Sequence, residues 1–433
     1  MMEQKLLWGK LIDVMESKSG IDVFPELAFT FYLFTRRLYT ELCNNGTSDV
    51  FFMSREGQPL LEMFKRYARH RQKIVPKETR VHYLEVSRRS TLLPSLRPLE
   101  KEDFETLFRQ YRSISLYEFL SSLGLGAHAN DVAAMLGSEM SAIQSRLADL
   151  PTDPDFKRLI GHPAFQHLYE TERSSRKAAF VQYLSDLAGG IIPKRLAIVD
   201  VGWKGTIQDN LFNLLCCGDP RIVDHIDGYY LGLVAQGSVH PDNRKRGLVF
   251  SSVGERTKRF HVFNENRALF EVMLAADHGS IVSYASGREG KAFAIRGSFE
   301  EEEMVRNKIW PVLNIILDRF DELLSMSELQ ELSDEQLLEI AAELHLRMVF
   351  KPTESERNWF ESVFHVENYG FFENTMFDAA AQRTSHVAKL KFCIDLVRKK
   401  GRAPLGFWPY KTLQEKGGKL VAGVYSYLRR TAL

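Results

Sequence analysis

The segment Arg195-Leu196-Ala197-Ile198-Val199-Asp200 constrains the fold more than any other stretch of this chain. Its apolar residues run on without polar alternation, so both faces of the strand must be covered, as in a parallel sheet. The run ends at an acid and turns through Val201-Gly202-Trp203-Lys204-Gly205-Thr206 into Ile207 to Leu215, where apolar residues recur at helical spacing. The same grammar appears at Asp49-Val50-Phe51-Phe52-Met53, then Ser54-Arg55-Glu56-Gly57, then a helix with Leu60, Leu61, Phe64 and Tyr67 on one face. Val81 to Val86 is another strand, ending in Ser87-Arg88-Arg89-Ser90, and Ile226 to Val234 follows the Gly218-Asp219-Pro220 turn. Strands alternating with helices predict an α/β fold built on parallel βαβ units.

Residues from about 98 to 190 read as helices only, including a run from Glu100 to Arg112. Such a block between strands is an insertion of the kind that serves as a lid or acceptor platform. Beyond Gly297 the pattern is again helical: Ser298 and Glu301 have capping-box spacing, and a long amphipathic helix runs through Leu324. The expected organisation is an α/β core over 1–297, with the insertion inside it, and a helical C-terminal region over 298–433.

Charge divides the chain along the same lines. Lys plus Arg is 57 and Asp plus Glu is 56, a net of +1, which excludes a uniformly basic nucleic-acid binder. From Arg383 to Leu433, however, twelve basic residues face two acids, Asp395 and Glu415. Arg398-Lys399-Lys400-Gly401-Arg402 is followed there by Phe407, Trp408, Tyr410, Tyr425 and Tyr427. Basic residues with interfacial aromatics suit an anionic membrane surface, each cation adding about 1 kcal/mol near it. A solvated basic helix against the acidic body is the alternative. The four cysteines, Cys43, Cys216, Cys217 and Cys393, have no metal-binding or disulfide spacing and read as reduced and buried, hence cytoplasmic. The N-terminus lacks the continuous apolar core of a signal peptide, and no stretch is apolar for long enough to span a bilayer.

In parallel sheets, ligands bind where strands end and loops turn into helices. Three such loops here share a composition. Ser54-Arg55-Glu56-Gly57 and Ser87-Arg88-Arg89 place arginines and hydroxyls at strand ends, while Gly202 to Thr206 adds two glycines, a lysine and a threonine at a helix start. Glycines let backbone N–H groups approach a phosphate, and the helix dipole favours its charge. Singly, each loop is an ordinary polar turn; together they point to a ligand with two anionic groups. The chain has no GxxxxGK[ST] loop and no GxGxxG, and Gly202 stands where a DxDxT phosphatase motif needs its second acid.

Phe51 to Gly57 resembles the pyrophosphate loop of type I phosphoribosyltransferases, and Ile198-Val199-Asp200 through Gly205-Thr206 is similar to their phosphoribosyl-pyrophosphate motif. The trio SREG, VSRR and VDVGWKGT more closely resembles a bacterial surface-polysaccharide family, over about residues 22–290. In that family a phosphoribosyltransferase-like module adds ribofuranose to a growing glycan. Two departures stand out: Val201 replaces the second of two consecutive acids, and the glycine loop is short. Both suit a glycan acceptor better than a nucleobase.

The resemblance implies a phosphoribosyltransferase-like core and a cytoplasmic glycosyltransferase for O-antigen or capsule, peripheral on the inner face of the membrane. It would displace pyrophosphate from 5-phosphoribosyl pyrophosphate with inversion, onto a sugar hydroxyl of a lipid-linked acceptor. Arg55, Arg88 and Arg89, with Mg²⁺, would steady the leaving pyrophosphate, assisted by Ser54, Glu56, Gly57 and Ser87. Gly202, Trp203, Lys204, Gly205 and Thr206 would hold the 5-phosphate, and Asp200 would face the ribose. Glu271, Asp277 and His278 are candidates for the general base or acceptor site, with Glu56 and Asp200 also open. No phosphatase module is present, so a separate phosphatase is the implied partner. A phosphohydrolase acting on a sugar phosphate, or a non-catalytic scaffold of polysaccharide assembly, are the alternatives.

Overall fold

A computed structural model describes residues 2–16, 22–72, 79–109, 111–218, 220–287, 290–368, 372–376 and 405–431. Five parallel strands form the central sheet: β1 Asp49–Met53, β2 Arg80–Leu84, β3 Arg195–Asp200, β4 His225–Leu233 and β5 Asn243–Ser251. Their order is β2-β1-β3-β4-β5. The expected α/β class is therefore present, and the strand order reverses direction between β1 and β3. Such a switch point opens a crevice at the carboxyl ends of the two strands.

Alternate residues of the inner strands point to opposite faces, and each face has its own cover. Val50, Phe52, Ala197, Val199, Tyr229 and Leu231 join one hydrophobic core with helix α1, Leu27–Asn44. Phe51, Met53, Leu84, Leu196, Ile198 and Ile226 join a second core with Phe180 and Leu184 and with Leu211 and Leu215. This division explains the unbroken apolar run of β3: both faces are buried.

Helix α2, Gly57–Gln72, follows β1, and α3, Arg88–Ser95, follows β2. The block after α3 contains no strand among its described residues and has its own core, with Phe104, Phe119 and Phe156 packed edge to face. It ends in α4, Pro163–Leu187, which returns to the sheet through Phe180 and Leu184. The helix expected over Glu100 to Arg112 is only a 3₁₀ turn at Leu99–Lys101 and a short helix at Glu105–Phe108. Glu102 accepts from the backbone of Arg97 and Phe104, and Asp103 accepts from Glu105 N. These acids bond backbone groups that a continuous helix would have used itself.

Two further elements add to the strands read from the sequence. Strand β5 carries Arg244 and Arg246 outward on the sheet edge, so its sequence reads as a polar loop. It is parallel to β4 although residues 234–242 contain no helix. After α5, Thr206–Leu215, and α6, Ala268–Met273, the chain forms an antiparallel hairpin of β6 Ile281–Ser286 and β7 Ala292–Arg296.

The residues assigned to a helical C-terminal region include α7 Trp310–Ser325 and α8 Asp334–Phe350, both in the same core as α1. Glu301 does not form the expected capping box, because its carboxylate accepts from Arg55. A hairpin of Phe364–Asn368 and Phe372–Met376 interrupts the helical pattern. The tail ends in α9, Pro409–Gly417, and α10, Lys419–Thr431. Arg383, Arg398 to Arg402 and Cys393 lie outside the described residues. Cys216 is buried as expected, Cys43 is half-buried and Cys217 is exposed. Among the described residues no helix is long and apolar enough to cross a membrane.

Candidate active site

Two of the expected loops meet at the switch point. Residues 54–57 leave β1 and residues 201–205 leave β3, and β1 and β3 are hydrogen-bonded neighbours. Each loop contains a cis peptide, Ser54–Arg55 and Gly202–Trp203. The loop after β2 flanks the other side of β1.

Asp200 sits at the tip of β3, nearly enclosed, and accepts a hydrogen bond from Val201 N at 2.8 Å. Burial pushes its carboxyl well above the usual carboxylate range. Glu56 and Glu271 push in the same direction, while Arg88 and the Val201 amide oppose them. Arg88 is thus within electrostatic reach of Asp200. Arg89 instead faces the helical block, where burial and Arg176 lower its proton affinity and Tyr117 opposes. Two adjacent arginines that sequence alone makes a pair therefore serve different surroundings.

The glycine loop is shaped by close contacts. Gly202 has φ of 148°, and a Cβ there would stand 2.4 Å from Gly232 O. Gly205, with φ of 71°, precedes α5 and leaves room for Lys245 and the Tyr230 hydroxyl. Below it, the enclosed Lys245 ammonium donates to Asp209 Oδ1 at 2.5 Å and to Gln236 O at 2.8 Å. Asp209 also accepts from Ser238 N and Asn243 Nδ2. This network fixes the short connection between β4 and β5 beneath the start of α5. Lys204 is exposed and Thr206 half-buried at the helix start.

Several expected binding groups are already engaged. The Ser54 hydroxyl donates to Val86 O at 2.7 Å and accepts from Val86 N, tying β1 to the end of β2. The Ser87 hydroxyl caps α3 by accepting from Ser90 N and donates to Ile281 O. Gly57 is pressed against Phe52, where a Cβ would stand 2.9 Å from the Phe52 carbonyl carbon. Arg55 donates to Glu301 at 2.6 Å, with side chains only 13% and 5% exposed. An incoming diphosphate would have to compete with that carboxylate.

The segment around α6 closes the crevice. Trp203 Nε1 donates to Glu271 Oε1 at 2.6 Å, and the Arg267 guanidinium lies over the Trp203 ring, 5.4 Å from its centroid. Burial lowers the proton affinity of Arg267, against the pull of Glu271. Asp277, exposed, is clasped by Gln58: Gln58 Nε2 donates to Asp277 Oδ1 and Asp277 N donates to Gln58 Oε1, both at 2.9 Å. His278 is enclosed, with Nδ1 donating to Gly279 O and Nε2 accepting from Tyr83 OH at 2.6 Å. Both nitrogens are used, so His278 holds the loop in place rather than offering a base. Gln58, Tyr83, Arg267 and Glu301 escape sequence reading, since each gains its meaning only from a partner about 65 to 250 positions away.

Among the described residues no three His, Cys, Asp or Glu side chains form a metal-holding group. Mg²⁺, however, keeps several waters and takes only one or two carboxylates plus substrate phosphates. Glu56, in the loop after β1 and within electrostatic reach of Asp200, is the carboxylate that suits such a cation. No protein-family model matches the chain, and no curated protein matches it either.

Proposed function

We propose that this chain is a phosphoribosyltransferase-like glycosyltransferase that moves 5-phosphoribosyl from its pyrophosphate ester to a sugar hydroxyl of a bacterial surface polysaccharide. One observation carries the reading. Two loops suited to anions stand side by side at the switch point of a parallel sheet, with the buried Asp200 between them.

In this reading the backbone of 202–206 and the Lys204 ammonium bind the 5-phosphate, with the start of α5 adding its dipole. Arg88 and, once released from Glu301, Arg55 face the pyrophosphate. The bond from C1 to the pyrophosphate oxygen breaks, a bond from C1 to the acceptor oxygen forms with inversion, and the acceptor proton passes to a carboxylate. Asp200 is the candidate for that proton, because it ends β3 between the two loops and its surroundings raise its affinity. Mg²⁺, held by the substrate phosphates and Glu56, would offset the charge of the leaving group. Glu271 orients Trp203, and Arg89 meets whatever binds against the helical block. The lipid-linked acceptor, the separate phosphatase and a peripheral position at the cytoplasmic face of the membrane belong to the same proposal.

A phosphohydrolase is a second reading. It gains from Glu56 and Glu271 standing near Asp200 on other elements, since a hydrolase needs a second acid there. One assay separates them: protein, 5-phosphoribosyl pyrophosphate, Mg²⁺ and a short synthetic glycan, with the acceptor weighed by mass spectrometry. A gain of one phosphopentose, absent in Asp200→Ala, supports transfer. Phosphate release from small phosphoesters, without any gain across a panel of acceptors, overturns it. A scaffold would show neither activity.

A further inference from the structure

Helix α10 has two unlike faces. Ala422 and Ser426 are buried against the body. Tyr425 packs near Val262, Leu346, Val349 and Phe350, and its hydroxyl donates to Glu265 Oε2 at 2.8 Å. Arg429 donates to the Tyr425 hydroxyl and lies beside His261 Nδ1. Trp408, ahead of α9, is buried and donates to Val349 O, and Tyr410 N donates to Glu265 Oε1. The aromatic tail is therefore not a loose tether: Trp408, Tyr410 and Tyr425 attach it to the body.

The opposite face is apolar and exposed. Leu420 is 83% exposed, Val424 55%, Tyr427 67% and Leu428 59%. Their spacing of four, seven and eight residues puts them on one stripe. The helix contains no acid, and Lys416, Lys419 and Arg430 stand around the stripe. An apolar stripe bordered by cations is what an interfacial helix needs: acyl contact on one side and attraction to anionic headgroups at its edges. A second copy of the chain would bring the same cations together and repel.

We propose that α10 lies in the plane of an anionic bilayer, with Leu420, Val424, Tyr427 and Leu428 in the headgroup–acyl boundary. This deepens the proposed membrane placement by naming the element that makes the contact, and it does not depend on the transfer chemistry. The body side of the helix reaches the crevice through one short segment, because Glu265 holds Tyr410 and Tyr425 while Arg267 and Glu271 hold Trp203.

The test is sedimentation of the full chain with vesicles of phosphatidylcholine alone or mixed with phosphatidylglycerol, without substrate. Wild type should pellet with the mixed vesicles, and Leu420→Glu/Val424→Glu should weaken binding about tenfold or more. Lys416→Gln/Lys419→Gln/Arg430→Gln, which leaves the apolar stripe intact, should weaken binding only to the mixed vesicles and remove most of its salt dependence. Unchanged binding in the first variant, or no binding by wild type, overturns the proposal. So does a wild-type dimer that the first variant dissolves while vesicle binding is absent. Transfer to a soluble acceptor should persist in both variants, so failure of the membrane contact and failure of the transferase reading give different results.

Discussion

Trp203 of the glycine loop and Glu271 of α6 are joined by a 2.6 Å hydrogen bond from the indole Nε1 to the carboxylate. The bond couples the loop after β3 to a segment that arrives after β5. Trp203→Phe keeps the ring in its packing with Phe250 and Phe270 but removes the indole donor from the half-buried carboxylate. Such a loss costs about 1–3 kcal/mol. Denaturant unfolding should register it, and phosphopentose transfer should fall further than stability alone explains.

Asp200 gives the opposite pattern. Its folded carboxyl binds protons more tightly than the unfolded one, so the folded state holds the extra proton and stability declines as pH rises above about 4. Asp200→Asn retains an acceptor for Val201 N and removes that slope. Melting curves across pH should show the variant at least as stable as wild type near neutrality, while transfer drops about 10²–10⁴-fold. A clear loss of stability at neutral pH would count against the buried, proton-retaining carboxyl.

Glu265 makes tail docking pH-dependent. Burial, opposed by Tyr425, the Tyr410 amide and Arg429, pushes its carboxyl from 4.5 up to about 7. The folded state therefore holds a proton that the unfolded state has released between these values, and stability is lost as pH rises through that window. His261, the other titratable neighbour of Arg429, is shifted down by burial and by Arg429 and Arg256. Hydrogen-exchange protection factors over residues 409–431, corrected for the intrinsic pH dependence of exchange, should be higher at pH 5.5 than at pH 8, values chosen to bracket the titration at about 7. Glu265→Gln should remove the difference.

The ion pair beneath the glycine loop is more costly to break than to replace. Burial outweighs pairing on both sides, lowering the proton affinity of Lys245 and raising that of Asp209. Asp209→Asn leaves an enclosed ammonium without its carboxylate and should cost about 3–5 kcal/mol. Adding Lys245→Met should recover much of the loss in a double-mutant cycle. No recovery would show that Asp209 acts mainly through Ser238 and Asn243.

Local signals explain what the sequence reveals. The strands β1 to β4 and their loops are legible because apolar runs and glycine turns are written in consecutive residues. Strand β5 is not, since an edge strand with outward Arg244 and Arg246 looks like a basic loop. The Glu100 to Arg112 region mimics a helix until Glu102 and Asp103 take up its backbone groups. Of the site residues, Asp200 is visible as the end of a strand. The commitment of Arg55 to Glu301, and the divergence of Arg88 from Arg89, are long-range facts that no local pattern contains. The tail shows the same limit: its aromatics are visible, but which of them turn inward is decided by Glu265 and Val349.

The helical block between β2 and β3 is knit by its own aromatic core, with Phe104 touching Phe108, Phe119, Phe156 and Tyr169. The sheet's two cores take nothing from Phe104 or those four partners. Substitutions within that aromatic core fall outside both cores that cover β1 and β3. If the crevice carries the proposed transfer, the block is the part of the chain in which a change of acceptor would be written first.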